Sequence, residues 1–150
     1  MKATSYPLSR PYKEAKKMGI IIKITDVPIL KSDYDDSVSS KNTGAVVEFL
    51  GIVRDSEDGE PIFAIEYETF REMAEHQLEI LAEKYTQQYG LFNLICIHRI
   101  GNVPIGEASL FIRISSTHRA ESFAAMTEFI SDLKKVIPIW KHPVYSKDAL

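Results

Sequence analysis

Cysteine is nearly missing from the 150-residue sequence: Cys96 stands alone, which excludes an intramolecular disulfide and a cysteine-rich metal site. No apolar run approaches the ~18–20 residues that a bilayer-spanning helix requires. There is no glycine-rich phosphate loop, no zinc-ligand spacing and no locally supported Ser-His-Asp arrangement. His76 and His142 form no metal-ligand spacing with each other or with acids. A surplus of positive charge is absent too. Eighteen Lys and Arg against 21 Asp and Glu give a formal charge of −3, which argues against a general nucleic-acid or polybasic membrane binder. The opening "MKATSYPLSRPYKEAKKMG" lacks the apolar segment of a secretory leader. It carries five basic residues, one acid and two prolines, and residues 1–18 read as a basic arm outside the fold. Cytoplasm is the expected compartment.

What is present suits an ordinary globular protein, with 45% hydrophobic and 26% charged residues and enough length for one core. A single domain is expected over 19–150. "GIIIKITDVPI" (19–29) reads as a first strand, and the polar 30–44 as a short helix plus loop ending at Gly44. "AVVEFLGIVR" (45–54) is a strand expected to form a hairpin with "IFAIEYETF" (62–70) across "DSEDGEP", with a mobile tip. Gly51 in mid-strand marks a bulge or a close approach. Phe70, Met73, Ala74, Leu78, Leu81, Ala82 and Tyr85 recur at helical spacing up to Gly90. "LFNLICIHRIGNV" and "EASLFIRISS" read as two strands joined by a "PIG" turn. A second helix runs from near Thr117 until Pro138 ends it. The pattern predicts an α+β fold with a mainly antiparallel sheet and two long helices. Cys96 reads as a buried inert thiol, and His98 and Arg99 as satisfied structural polar groups.

The informative charges are basic ones beside apolar residues. Phe123, Met126, Ile130, Leu133 and Ile137 predict the buried stripe of the second helix, and Lys134 falls about 20° from the direction of Phe123. Lys135 points outward. Lys134 either snorkels over the core edge or, partly desolvated, serves as a base or nucleophile. Lys141 follows Pro138 and Trp140, the only tryptophan, here read as a buried anchor that fixes the lysine. The two amines then form a candidate anion- or acyl-handling pair. His118 and Arg119 fall at the start of the second helix, where the macrodipole disfavours positive charge. Free N–H groups there with a histidine and an arginine suit an anion such as phosphate. The alternative is that Glu121 and nearby acids neutralise them. Arg54, closing its strand, is by itself a routine strand-end arginine.

"GAVVEFLGIVRD", "YETFREMAEHQL", "IHRIGNVPIGE", "SSTHRAESFAA" and "DLKKVIPIWK" occur in this order, and over roughly residues 19–141 the chain resembles the large, catalytic subunit family of molybdopterin synthase. The resemblance implies an α/β-hammerhead fold and a homodimer that binds a small ubiquitin-like sulfur-carrier subunit at each end, making a heterotetramer. The carrier's C-terminal Gly-Gly thiocarboxylate enters a pocket of the large subunit. Two sulfurs pass to cyclic pyranopterin monophosphate (precursor Z), giving the dithiolene of molybdopterin and opening the cyclic phosphate. Carried over by motif, Lys134 and Lys141 are similar to the family's catalytic lysines. Arg54 with the Ile52–Val53 backbone, His118, Arg119 and Phe49 resemble its substrate contacts. No cofactor and no metal is implied. This sequence departs from the family after Lys141: His142 and Pro143 replace a basic residue and a glutamate, the tail is short, and the two stand as possible tail contacts. The chain ends "KDAL", without Gly-Gly, so it is not itself the sulfur carrier. The rival expectation is a non-catalytic dimeric module that docks a ubiquitin-like tail or a phosphorylated pterin.

Overall fold

The computed structural model describes residues 19–30, 32 and 40–145. The basic arm expected over 1–18, most of the short helix expected after residue 30, and residues 146–150 lie outside them. Runs of β-branched and aromatic residues build a four-stranded sheet. Its strands are β1 (Ile20–Thr25), β2 (Ala45–Ile52), β6 (Asn93–Arg99) and β8 (Ala108–Ser116), in the order β1–β6–β8–β2. The β6–β8 and β8–β2 pairs are antiparallel, whereas β1 runs parallel to β6. Two helices, α1 (Arg71–Tyr89) and α2 (Arg119–Val136), pack on one another and on this sheet. Leu78, Leu94, Ile112, Ile114 and Phe129 are fully buried in the core. Each contributes ~1.5–3 kcal/mol of hydrophobic stabilisation.

A second, three-stranded antiparallel sheet has the order β7–β5–β9, from β5 (Ala64–Thr69), β7 (Gly101–Pro104) and β9 (Ile139–Val144). Its own small core holds Val53, Ile62, Ile65 and Val103. Between the two sheets the chain makes a two-stranded ribbon, β3 (Ser56–Glu57) and β4 (Glu60–Pro61). The α+β class with two long helices and mainly antiparallel pairing is therefore observed.

Several local expectations are revised. The strands at 45–54 and 62–70 are not partners: β2 pairs with β8, and β5 pairs with β7 and β9. The register shift that Gly51 signals lies between Gly51 and Ile52. Beyond it the Val53 N–H donates to the Glu107 carbonyl, and the Val53 carbonyl accepts from Gly106, so the chain leaves the first sheet. The connector tip is a tight two-residue turn, Asp58 at φ 50° and Gly59 at φ 82°. Those paired positive φ values match the twist of a two-residue hairpin, and Asp-Gly is its usual sequence. The run 91–103 also splits, because Gly101 at φ 77° turns the chain from β6 in one sheet to β7 in the other.

The first helix follows its expected face: Ala74, Leu78, Leu81, Ala82 and Tyr85 are buried, and Gly90 in the left-handed region ends it. Phe70 and Met73 depart from it, exposed at the helix start. In α2 the buried stripe is Ser122, Ala125, Met126, Phe129 and Leu133, and Phe123 lies outside it. Small Ser122 and Ala125 let the helix sit close to the sheet, so the stripe is centred one residue away from the large side chains that suggested it. Lys134, aligned with Phe123, is consequently exposed rather than on the core edge.

Candidate active site

Strand β9 sets the geometry of the lysine that follows Trp140. Each residue of β9 lies opposite one of β5: Trp140 opposite Glu68, Lys141 opposite Tyr67, His142 opposite Glu66 and Pro143 opposite Ile65. Successive side chains of a strand point to opposite faces. Lys141 therefore shares a face with Tyr67, whose ring packs on the small core and meets His98 edge-on at 5.2 Å. Trp140 takes the other face. It is 45% exposed and stacks edge to face with the exposed Phe70, so the expectation of a buried anchor is corrected. The strand, and not tryptophan burial, fixes Lys141.

Lys141 Nζ donates to Glu57 Oε1 at 2.5 Å, while Arg54 Nη2 lies 3.8 Å from Glu57 Oε2. Arg54 and Lys141, 87 positions apart in sequence, thus converge on one carboxylate. Glu57 was not among the candidates. The signal for it was the Asp58–Gly59 pair, which closes a two-residue turn and sets Glu57 opposite Glu60. Ile52 is exposed at the strand end, and Val53 is buried with both backbone polar groups engaged. The half-buried Phe49 packs beside the main core and over Gly51, where an added Cβ would lie 3.3 Å from the phenyl ring. His142 leaves this cluster: its Nε2 lies 3.1 Å from Glu68 Oε2 on the opposite face. Pro143 sits opposite Ile65 on the Lys141 face.

A second group gathers at the N-terminus of α2. A recess of about 450 Å³ is lined by Gly44, Thr117, His118, Arg119 and Ala120. His118 is the N-cap residue, and its side chain caps no N–H. The first-turn N–H groups therefore keep their capacity for an anion. Among the described residues neither His118 nor Arg119 forms an ion pair, and Glu121, in the same first turn, makes none with them. Gly44 makes the recess possible, since a Cβ there would fall 2.2 Å from the Thr117 carbonyl oxygen.

Lys134 is exposed in the last turn of α2 beside Lys135, at the end the macrodipole makes favourable for cations. It lies sixteen residues beyond His118, roughly 24 Å along an unbroken helix. The fold does not bring these two residues of one chain together. Other polar groups are structural, as expected. Cys96 is fully buried, and burial pushes its thiol far above the ordinary range. His98, buried, shares a 2.8 Å hydrogen bond with the Arg99 carbonyl, and desolvation pushes it down to about 4. Arg99 is buried and lies 3.3 Å from Glu107, but its Nε is buried without a hydrogen-bond partner among the described residues, so it is not the fully satisfied group that the sequence suggested.

Comparison with known proteins shows the family and the fold. Residues 24–136 match the family model described as MoaE protein. A Bos taurus protein named molybdopterin synthase catalytic subunit is 31% identical over 97% of this chain and 85% of its own length. The crystal structure of molybdopterin synthase from Staphylococcus aureus superposes with a TM-score of 0.76 at 30% identity, covering 83% of this chain and 90% of that one. A complex of subunits 1 and 2 of molybdopterin-converting factor from Helicobacter pylori gives 0.68 at 26% identity, covering 85% and 90%. The chain belongs to the MoaE family, that of the catalytic subunits of molybdopterin synthase.

Proposed function

We propose that this chain transfers sulfur from the C-terminal thiocarboxylate of a small ubiquitin-like carrier to cyclic pyranopterin monophosphate, twice, to form the molybdopterin dithiolene. The observation that carries the reading is the recess at the start of α2. His118, Arg119 and uncapped N–H groups meet there with no acid paired to either side chain among the described residues, which suits a phosphate. Arg54 and Lys141 supply a second cationic cluster, suited to the negative charge of the carrier's tail or of the opening cyclic phosphate. Lys134 and Lys141 serve as the catalytic amines, and Ile52, Val53 and Phe49 border the substrate. His142 and Pro143 flank the tail slot.

Assembly follows from distance. A pterin monophosphate spans on the order of 10 Å, and a helix of this length holds Lys134 roughly 24 Å from His118. A two-fold homodimer resolves this by setting the phosphate recess of one subunit against Lys134 of the other. One carrier at each end makes the heterotetramer, in the cytoplasm, with residues 19–150 as one domain and 1–18 as an arm. The Helicobacter pylori complex supports a small-subunit partner. The test is incubation with a thiocarboxylated carrier and precursor Z, followed by assay for molybdopterin. Product formation is expected; a well-folded dimer that binds both and yields none would establish a binding module instead.

A further inference from the structure

Among the described residues, Glu57 is the one acid that touches two of the cations assigned to the reaction. Its side chain is only 16% exposed, so its charge is largely withdrawn from water and requires partners. Its two oxygens are divided between Lys141 Nζ at 2.5 Å and Arg54 Nη2 at 3.8 Å. The ribbon places it there against a local penalty. Glu57 lies directly opposite Glu60, and like charges at such a position repel. The Asp58–Gly59 turn fixes the ribbon and aims Glu57 at β9, while Glu60 stays exposed. Lys141 otherwise has a long, flexible stem, and its side chain is 43% exposed. Without a fixed partner its head would sample many rotamers.

We propose that Glu57 is a positioning residue for sulfur transfer, holding the Lys141 ammonium and the Arg54 guanidinium side by side so that both meet the incoming anion together. The inference rests on the sulfur-transfer reading. Two measurements separate its failure from the failure of that reading. The first needs no substrate: pH-dependent labelling of lysines by an acylating reagent, read by mass spectrometry, in wild type, Glu57→Gln and Glu57→Asp. Glu57 engages the Lys141 amine directly, so removing that acceptor frees the amine and labelling at Lys141 should rise severalfold in Glu57→Gln while the remote Lys23 is unchanged. The second is turnover. Glu57→Gln should lose about ten- to a hundredfold in kcat with an unaltered melting temperature, and Glu57→Asp should recover part of the loss. Should Glu57→Gln fold poorly, the intermediate labelling and turnover of Glu57→Asp decide the matter alone. Unchanged Lys141 labelling, or an active wild type whose Glu57→Gln variant matches or exceeds its kcat, overturns the positioning role. An inactive wild type overturns the sulfur-transfer reading, and the positioning role with it.

Discussion

Trp140 and Phe70 meet edge to face, with centroids 5.7 Å apart and planes at 88°, yet 45% of one residue and 65% of the other is exposed. Such a pair adds little beyond its partial burial. Trp140→Ala should cost about 1–2 kcal/mol in urea denaturation, against ~3–5 kcal/mol for Phe129→Ala in the dry core. Equal losses for the two variants would contradict this placement of the tryptophan.

Gly44→Ala should damage both fold and recess. The new methyl would sit 2.2 Å from the Thr117 carbonyl oxygen, a backbone atom that cannot swing aside as a side chain would. A destabilisation of about 1–3 kcal/mol is expected, with weaker binding of the phosphorylated substrate. Wild-type stability and affinity in this variant would show that the strand and the helix start separate freely.

Lys134→Ala should abolish turnover with little effect on stability. Lys134 is exposed in the last helical turn, where it loses only a dipole contribution of about 0.3–1 kcal/mol. Molybdopterin formation near the wild-type rate would remove Lys134 from the catalytic set.

Mixing two inactive variants tests assembly across the dimer. In a dimer of one Arg119→Ala chain and one Lys134→Ala chain, a site shared between chains leaves one site with both residues intact. A site built within one chain leaves none. Activity should therefore return on subunit exchange, and silence after exchange verified by mass spectrometry would rule out sharing.

Acidification should weaken the fold through His98. Burial holds its folded pKa at about 4, below the ordinary 6.5. Between these values the unfolded chain binds a proton that the folded chain refuses, so stability rises with pH across that window. On going from pH 7 to below 4 the loss attributable to His98 is about 3 kcal/mol, and above pH 6.5 it contributes no slope. Urea midpoints should fall less steeply in His98→Gln, which can still donate to the Arg99 carbonyl. Parallel pH profiles for the two proteins would refute the assignment.

Local pattern was enough for the elements themselves. Hydrophobic recurrence located both long helices, Gly90 and Pro138 marked their ends, and Gly51 marked a bulge, because these signals act between residues a few positions apart. The motifs also singled out Arg54, His118, Arg119 and Lys141, residue types suited to anions. Pairing was not legible: β2 joins β8 rather than β5, since strand partners are chosen by burial across the whole sheet. The α2 stripe was misplaced for a related reason. Size predicted Phe123 inside, but close approach to the sheet favoured Ser122 and Ala125 there. Tertiary structure alone decided that β9 turns Lys141 and Trp140 to opposite faces, and that a two-residue turn carries Glu57 to Lys141. Contacts between residues 84 positions apart leave no trace in local spacing; this one arises only when the fold brings the β3–β4 ribbon against β9.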